Sequence, residues 1–569
     1  MIATQLSYIL TYLVNRSFTE GYFPKLLKVG KQTPVHKGGE NYFSNYRPIT
    51  VCNSIAKIFE KLARTRLLNF IDKFNLLNNS QFGFRKSHST AHAMINLYDA
   101  YLEGLDDKLS TGSIFLDISK AFDCVDHDIL LHKLSHYGIR GVIFQWFKSY
   151  LTDRQHYIEV NGYSSRRYKL DYGVPQGSVL GPVLFLLFIN DITRSSDILL
   201  FTMFADDTSL ILCIDRDVYH TTLKNELSKV MKWFEENLLL LNYDKTDYLF
   251  CGPYFRKNMD TGENDLTELH QCVPMYIIQH KILPHYNYHQ LDDEGSHFSE
   301  INLKGEFIFD ELHRVVPQYL LKEHISIENK LIVESNEVKY LGVYFDSNLS
   351  FRKHIHTVTC KINRLVGIFW KCKDLNIKTK LTMYHSLAAS QINYGIIIWG
   401  SQLAHNIIGD SSLDLTHIPD NLDCLEVAHK KVIRAIHRVP LRKKVDENNY
   451  IYTTTSPLFK DKNILKLKDV YYLHLALFAY DCVNGNVPEY FVNYLLTADT
   501  FCQRNLRSGN EQNQMNLLYF RFPNLMTTCK SIKIAAACLW NQLPHNITSI
   551  NNSKNIFKNE VRKWFISQY

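Results

Sequence analysis

The sequence lacks the features that mark several common classes of protein. Its 12 cysteines contain no C-x-x-C pair, which excludes a zinc ribbon and a thioredoxin-like redox motif. It has no internal repeat, and its N-terminus has neither the long apolar core nor the cleavage site of a secretory signal. The most apolar later stretch, residues 198–214, carries two aspartates at its middle, and carboxylates are expensive in a bilayer. We therefore expect an intracellular protein with reduced thiols and no membrane span.

Composition and charge instead indicate a large globular protein with a polyanionic partner. The chain has 569 residues, 46% hydrophobic and 21% charged, which is enough for several domains. Its net charge of +7 is uneven, because residues 25–86 hold twelve Lys and Arg against three Asp and Glu, with aromatic residues interleaved. This mixture is typical of a nucleic-acid groove; a helix over residues 55–74 with a solvated basic face is the alternative. A second basic cluster, residues 429–444, is either a template-binding helix or an ordinary exposed one.

An acidic segment interrupts this pattern. Residues 252–322 hold eleven Asp and Glu against six Lys and Arg, with six histidines and weak periodicity. We interpret residues 252–324 as an insertion. Its histidines His285, His289 and His297 favour solvated side chains over a metal site, because no Cys/His pairing accompanies them.

Three aspartates fall at the ends of predicted strands. Residues 112–116 predict a strand that ends at Asp117, and residues 198–204 and 208–214 predict a hairpin with Asp206 and Asp207 at its turn. Clustered carboxylates repel one another unless cations neutralise them. Hard oxygen ligands without His or Cys suit Mg²⁺ or Mn²⁺, and two such ions support phosphoryl transfer. The alternative for an isolated Asp-Asp pair is a polar hairpin turn.

Seven sequence blocks around these aspartates occur in the order of the motifs of one family. The blocks are Asn45–Ile49 (NYRPI), Gln81–Arg85 (QFGFR), Phe115–Asp123 (FLDISKAFD), Gly173–Ser178 (GVPQGS), Phe204–Asp207 (FADD), Leu241–Thr246 (LNYDKT) and Tyr340–Gly342 (YLG). On these motifs the chain resembles the reverse transcriptases of non-LTR (LINE-type) retrotransposons, especially the jockey-like group. In that family the seven blocks correspond, in this order, to two finger motifs and to motifs A, B, C, D and E. The resemblance covers roughly residues 8–251 and 325–545.

The resemblance implies an α+β right-hand polymerase, with fingers, a ferredoxin-like antiparallel palm, a helical thumb and a mostly helical C-terminal extension. The implied division is an N-terminal extension and fingers (1–110), palm (111–251), insertion (252–324), primer-grip segment (325–350), thumb and basic post-thumb helix (351–445) and C-terminal extension (446–569).

The resemblance also implies an RNA-directed DNA polymerase that extends a primer 3′-hydroxyl with dNTPs. In this family's pattern Asp117, Asp206 and Asp207 are the catalytic residues that hold two Mg²⁺ or Mn²⁺ ions. Lys245 matches a residue that protonates the pyrophosphate leaving group.

Further positions match nucleotide and nucleic-acid contacts of the family. The nucleotide-binding positions are Lys37, Arg47, Phe122, Gln176 and Gly177, with Phe122 as an aromatic gate against the ribose 2′-hydroxyl. The primer grip corresponds to Tyr340, Leu341 and Gly342. The nucleic-acid-binding positions are Arg85, Lys430, Lys431 and Arg434.

The implied partners are an RNA template, a DNA primer or target DNA, dNTPs and a ribonucleoprotein with the element's RNA, in the nucleus and cytoplasm. Three departures from the family stand out. We find no match to its N-terminal endonuclease or to an RNase H domain, and motifs D and E are far apart. Gly-Asp-Asp is absent, which argues against an RNA-dependent RNA polymerase, and motif B argues against an intron maturase. A catalytically dead or domesticated fragment that only binds RNA is the alternative.

Overall fold

The computed structural model describes residues 2–36, 38, 40, 42, 45–251, 324–327, 330–372, 374–404, 407, 420–444, 450–497, 518–519 and 531–569. The described chain is of the α+β class. Its helices are α1 (Ile2–Glu20), α2 (Ser54–Lys73), α3 (Thr90–Asp106), α4 (His127–His136), α5 (Gly141–Leu151), α6 (Gly181–Ile189), α7 (Arg216–Glu236), α8 (Arg352–Lys371), α9 (Ile377–Met383), α10 (Ser390–Asn393), α11 (Ile396–Trp399), α12 (Asp420–His437), α13 (Ser456–Asp461), α14 (Leu467–Val483), α15 (Ile532–Gln542), α16 (His545–Thr548) and α17 (Lys554–Ser567).

The strands form several separate sheets. They are β1 (Val29–His36), β2 (Tyr46–Val51), β3 (Ser110–Leu116), β4 (Arg154–Val160), β5 (Tyr163–Ser164), β6 (Tyr168–Leu170), β7 (Leu200–Phe204), β8 (Asp207–Ile214), β9 (Asp247–Cys251), β10 (His324–Ile327), β11 (Lys330–Val333), β12 (Glu337–Tyr340), β13 (Val343–Asp346), β14 (Arg442–Lys444), β15 (Tyr450–Tyr452), β16 (Leu496–Thr497) and β17 (Leu518–Tyr519).

The central sheet has four antiparallel strands in the order β7-β8-β3-β9. Every residue of β3 is buried, so helices cover both faces of the sheet. Successive side chains of a strand point to opposite faces. Ile114 and Leu116 accordingly join the core that contains α6 and α7, whereas Phe115 joins the core that contains α3. The sheet therefore separates two hydrophobic cores.

A second sheet, with the path β2-β1-β4-β5 and with β6 paired to β4, lies near the N-terminus. Strand β1 is antiparallel to β2 and parallel to β4. Helix α2 begins where the Asn53 side chain accepts a hydrogen bond from the Ile55 N–H, an N-cap that satisfies one free donor. The buried Glu60 on α2 accepts hydrogen bonds from the Tyr150 hydroxyl (3.2 Å) and the Val179 N–H (2.5 Å). These bonds tie α2 to α5 and to the chain just before α6.

The helices after β13 continue the core that begins under the central sheet. Helix α8 packs against α12, and α14 packs against α15 and α17. The Tyr494 hydroxyl donates to the buried Asp99 carboxylate of α3 (2.6 Å), and Tyr98 bonds Ser401 (2.9 Å). Helix α3 lies inside the range 1–110 predicted for the extension and fingers, yet it packs on the central sheet and on the C-terminal helices. The domain boundaries stay a prediction.

Two helices differ in length from the sequence expectation. The apolar run of residues 178–192 predicts one buried helix. The structure begins that helix at Gly181, after a turn in which the Ser178 hydroxyl accepts the Gly181 N–H, and ends it in a 3₁₀ turn (Asn190–Arg194). The basic helix α12 ends at His437 shortly before Pro440, which cannot continue a helix. Residues 442–444 of the basic cluster form β14 instead.

All but the last residue of the predicted insertion 252–324 lies outside the described residues. No helix in the described part of the chain is long and apolar enough to cross a membrane.

Candidate active site

Asp206 and Asp207 lie at the turn between β7 and β8. The sequence predicts strands 198–204 and 208–214 with a three-residue turn between them, but Phe204 pairs with Asp207, so the loop has two residues and Asp207 is the first residue of β8. Ala205 adopts a φ of +60°, a left-handed conformation that costs a residue with a Cβ about 1 kcal/mol. The register of β3 and β8 places Leu116 opposite Thr208, so Asp117 follows at the same edge of the sheet. The predicted convergence of the three carboxylates is present.

Burial and neighbouring charge raise the pKa of two of these carboxylates, Asp206 and Asp207. Burial, together with the charge of Asp117, raises the pKa of Asp206, while the nearby Arg47 guanidinium acts in the opposite direction. Burial raises the pKa of Asp207 to about 6, and the charges of Asp206 and Asp117 add to this effect. The site therefore holds more negative charge than its protein surroundings neutralise.

The donor chemistry of this site fits a divalent cation. Three carboxylates supply hard oxygen ligands, and a cation would offset the burial and the repulsion that raise the pKa of Asp206 and Asp207. The side-chain spacing does not by itself define a metal site: in the described ranges, no group of three or more His, Cys, Asp or Glu side chains is arranged to hold an ion. The fit therefore rests on the identity and charge of the donors.

The loop after α7 holds the end of β3. The Asn242 side-chain amide donates to Oδ2 of Asp117 (2.9 Å), and the Asn242 backbone N–H donates to the Asp117 carbonyl (2.8 Å). The Asp117 N–H donates to the Thr246 hydroxyl (3.4 Å), and the Ser119 N–H donates to the Leu240 carbonyl (2.8 Å). Predicted motif D therefore packs on predicted motif A.

A buried amide holds the turn between β7 and β8 from the other side. Gln81 is 1% exposed, and its Oε1 accepts hydrogen bonds from the backbone N–H groups of Ala205 (2.9 Å) and Gly83 (2.8 Å). Its Nε2 donates to the Ala205 carbonyl (3.5 Å). A Cβ on Gly83 would lie well under 3.0 Å from the Ala205 nitrogen, so the close approach requires glycine.

Predicted motif B connects the site to the N-terminal sheet. The Gln176 side chain donates to Asp123 (2.7 Å), and its carbonyl accepts the Thr50 N–H of β2 (2.7 Å). Gly177 has a φ of +114°, and a Cβ there would lie 2.5 Å from the Thr50 carbonyl oxygen. The glycine therefore allows β2 to approach the loop closely.

Phe122 lies where predicted motifs A and B meet. Its carbonyl accepts the Val174 N–H (2.8 Å), and its half-buried ring stacks on Phe185 of α6 with centroids 4.5 Å apart. The ring therefore has a fixed packing partner.

The predicted basic nucleotide contacts are exposed where they are described. Arg47 on β2 is exposed, and its charge favours the ionised form of Asp206. Lys245 is exposed on the short 3₁₀ turn Tyr243–Lys245. Lys37 lies outside the described residues.

The predicted primer grip is a tight hairpin beside the central sheet. Leu341 and Gly342, with φ of +44° and +84°, form the two-residue turn between β12 and β13. The Leu341 carbonyl accepts the Tyr394 hydroxyl (2.5 Å). Buried Tyr340 donates to the Thr202 carbonyl on β7 (3.4 Å). Motif E is therefore packed on the sheet that carries the aspartates, although Tyr340 lies 95 residues after Lys245 of motif D.

The predicted nucleic-acid contacts have different surroundings. Arg85 is half-buried and donates to the carbonyls of Asn78 (2.8 Å) and Gln81 (3.1 Å), and burial lowers its pKa. On α12, Lys430 pairs with Glu426, Lys431 is exposed, and Arg434 donates to the Thr453 carbonyl (3.0 Å). Of these four predicted cations, Lys431 is exposed and the other three are half-buried.

Two amides that contact the site had no assigned role in the sequence. Gln81 and Asn242 lie inside motifs recognised from the sequence, but a polar residue in a motif does not reveal its partner. Their contacts join segments more than 100 residues apart, and no local pattern predicts such pairs. The signal that the sequence offers is an amide residue two positions before a glycine within one motif, as at Gln81 and Gly83.

Comparison with known proteins agrees with this geometry. Residues 35–345 match the family described as "Reverse transcriptase (RNA-dependent DNA polymerase)". The chain is 26% identical over 402 residues to the probable RNA-directed DNA polymerase from transposon X-element of Drosophila melanogaster, covering 69% of this chain and 37% of that protein. It is 26% identical over 415 residues to the RNA-directed DNA polymerase from mobile element jockey of the same species, covering 70% and 38%. The chain thus spans less than two fifths of the length of these curated relatives.

Solved structures give a weaker likeness. A telomerase from Candida albicans, in complex with a fragment of telomeric RNA, aligns with a TM-score of 0.33 and 13% identity over 72% of this chain and 64% of that one.

Proposed function

Because the chain belongs to the reverse transcriptase (RNA-dependent DNA polymerase) family and has the right-hand polymerase fold, we propose that it is the RNA-directed DNA polymerase of a non-LTR, jockey-like retrotransposon. The observation that supports this best is the meeting of Asp117, Asp206 and Asp207 at one edge of an antiparallel sheet. The proposed substrates are an RNA template, a DNA primer or target DNA, and dNTPs.

The proposed reaction joins the primer 3′-oxygen to the α-phosphorus of a dNTP and breaks the bond from that phosphorus to pyrophosphate. Asp117 and Asp206 would hold divalent ions, Mg²⁺ or Mn²⁺, with Asp207 as a supporting acid, and a pair of such ions would activate the attacking oxygen and stabilise the leaving one. Lys245, exposed beside the site, would give a proton to the pyrophosphate. Most of the catalysis would come from positioning and electrostatics.

The proposed nucleotide site lies between β2 and motif B. Arg47, exposed on β2 and electrostatically coupled to Asp206, would bind the triphosphate, with Lys37 as a second cation. Gln176 and Gly177 would line the base and sugar, and the Phe122 ring would collide with a ribose 2′-hydroxyl. The stacking of that ring on Phe185 would hold it in place.

Nucleic-acid contacts are proposed on both sides of this site. The hairpin turn at Tyr340, Leu341 and Gly342 would hold the primer end. Lys431 would contact template phosphates, while Lys430 and Arg434, which are already bonded to Glu426 and to the Thr453 carbonyl, would mainly add positive charge to that path. We retain the division proposed from the sequence: 1–110 extension and fingers, 111–251 palm, 252–324 insertion, 325–350 primer grip, 351–445 thumb and post-thumb helix, 446–569 C-terminal extension. A ribonucleoprotein with the element's RNA, in the nucleus and cytoplasm, follows from the proposed function.

Primer extension tests the proposal. With poly(rA), an oligo(dT) primer, dTTP and Mg²⁺ or Mn²⁺, the chain should extend the primer, and Asp206→Asn/Asp207→Asn should reduce extension to the background without protein. The matched control is Asp215→Asn/Asp217→Asn, which removes two exposed aspartates just beyond the other end of β8. Equal extension by the two double variants contradicts the catalytic assignment. Retention of RNA without extension by the parent chain indicates a protein that only binds RNA.

A further inference from the structure

Gln81 contacts the backbone of the turn that presents Asp206 and Asp207, and it does so from a segment 124 residues away in sequence. The side chain is 1% exposed. Its amide oxygen accepts two backbone N–H groups, and its amide nitrogen reaches a backbone carbonyl. A side-chain amide offers an acceptor and a donor on two separate atoms, and here both atoms are bonded to backbone groups. The contact therefore uses the whole amide of Gln81.

The turn needs such a contact. Ala205 holds a φ of +60°, which a residue with a Cβ adopts at a cost. Gln81 binds both the N–H and the carbonyl of this same residue. The backbone around Gln81 adds two bonds to β7, from the Phe82 N–H to the Met203 carbonyl and from the Met203 N–H to the Ser80 carbonyl, both 2.8 Å. The position of the turn is thus set by the 80–83 segment.

We propose that Gln81 is a positioning residue that fixes the backbone of the Ala205 turn and thereby the placement of Asp206 and Asp207 for divalent cations. The role of Gln81 in catalysis rests on the proposed function, whereas its effect on cation binding can be measured without primer extension. Groups that orient metal ligands, when removed, typically cost about 10- to 100-fold in metal affinity or activity.

The test compares Gln81 variants with a matched buried amide. Gln81→Met keeps the length of the side chain and removes all of its hydrogen bonds. Gln81→Asn keeps the amide but is one methylene shorter, so the amide no longer reaches the turn. The control is Asn190→Leu, because Asn190 is also buried and binds the Asn78 N–H (2.7 Å) and the Leu76 carbonyl (2.8 Å) just before Gln81. It therefore weakens the same segment without touching the turn.

Mn²⁺ binding to the full chain without nucleic acid is measured by the electron paramagnetic resonance of free Mn²⁺, with Asp206→Asn/Asp207→Asn as the blank for other sites. Both Gln81 variants should bind Mn²⁺ about 10-fold more weakly than the parent, and Asn190→Leu should stay within about twofold. In primer extension the Gln81 variants should need correspondingly more Mn²⁺ for half-maximal rate. Unchanged Mn²⁺ affinity in folded Gln81 variants, or an equal loss in Asn190→Leu, overturns the inference.

The two proposals fail separately. A parent chain that binds Mn²⁺ through the turn and loses it in the Gln81 variants, but extends no primer, contradicts the polymerase function and supports the positioning. A parent chain that extends primers while its Gln81 variants bind Mn²⁺ normally supports the function and contradicts the positioning. A parent chain whose Mn²⁺ binding does not depend on Asp206 and Asp207 also contradicts the positioning.

Discussion

Asn242 donates a hydrogen bond from its side-chain amide to Oδ2 of Asp117, at 2.9 Å, across 125 residues of sequence. The same two residues also share a backbone bond, from the Asn242 N–H to the Asp117 carbonyl. The half-buried carboxylate therefore has one oxygen already engaged by the protein. This contact limits the rotation of a side chain that is proposed to hold a cation.

Replacing Asn242 should impair catalysis more than stability. Asn242→Leu removes the bond to Asp117, and we expect kcat for primer extension to fall about 10-fold with little change in the KM for dTTP. Asn242→Asp should be worse, since it sets two carboxylates in contact. The control is Asn237→Leu, which removes a buried amide bonded to the Trp233 carbonyl (2.8 Å). An equal fall of kcat in Asn237→Leu would show that the loop merely needs to be folded.

Two glycines should respond oppositely to alanine. Gly83→Ala forces a Cβ against the Ala205 nitrogen. We expect the free energy of unfolding to fall by about 1–3 kcal/mol and the rate of primer extension to fall as well. Gly367 lies in the helix α8 with no atom within 4 Å of the added Cβ, so Gly367→Ala should gain about 1 kcal/mol. Thermal unfolding midpoints and extension rates measure both. Destabilisation by Gly367→Ala would contradict the open space around it.

The buried Asp99 should make stability fall as pH rises. Burial raises the pKa of Asp99 to about 7, the charge of Glu103 adds to this, and the Tyr494 hydrogen bond and Lys533 oppose it. The folded chain therefore keeps a proton that the unfolded chain loses from about pH 4, so this stabilisation is complete below about pH 4 and is lost as pH rises to about 7.

Asp99→Asn removes this dependence and still accepts the Tyr494 hydroxyl. The upper bound of the gain is about 4 kcal/mol above pH 7, from roughly three pKa units. We expect the unfolding midpoint of Asp99→Asn to exceed that of the parent by more at pH 8.5 than at pH 5. A gain of the same size at both pH values would contradict the titration of Asp99.

Phe122→Ala should relax the choice between nucleotides. Removing the ring opens space for a 2′-hydroxyl, and we expect discrimination against ribonucleotides to fall about 10- to 100-fold. The control is Phe185→Leu, which removes the stacking partner and keeps the Phe122 ring. The ratio of kcat/KM for dTTP and UTP measures the effect. Unchanged discrimination in Phe122→Ala removes the gate.

Replacing the two cations Lys431 and Arg434 of the basic helix α12 should have different effects. Lys431 is exposed, so Lys431→Glu should weaken RNA retention at low salt and reduce the slope of affinity against salt by about one or two ions. Arg434 donates to the Thr453 carbonyl, so Arg434→Met should mainly lower the unfolding temperature. Filter binding at several salt concentrations separates the two. Normal RNA binding by Lys431→Glu would remove α12 from the proposed template path.

Much of the fold follows from local patterns. The short β-branched and aromatic runs before Asp117 and on either side of the Asp206-Asp207 turn predict β3 and the β7–β8 hairpin, because strand propensity and turn chemistry are local properties. Boundaries fail where a non-local or terminating contact decides them, as at Ser178 and at Pro440. The packing of α3 on the C-terminal part of the chain was not predictable either, since its hydrogen-bond partners there, Ser401 and Tyr494, lie 303 and 395 residues away in sequence.

The sequence by itself determined which carboxylates, glycines and aromatic rings the site has, because these residue types in this order carry the chemistry. The tertiary structure alone decided which side chains hold them. Strand order brings Asp117 beside the β7–β8 turn, and only then do Gln81 and Asn242, distant in sequence, come within hydrogen-bond distance of that edge. A hydrogen bond weakens when the distance between donor and acceptor changes by a few tenths of an ångström, and only the folded chain fixes that distance.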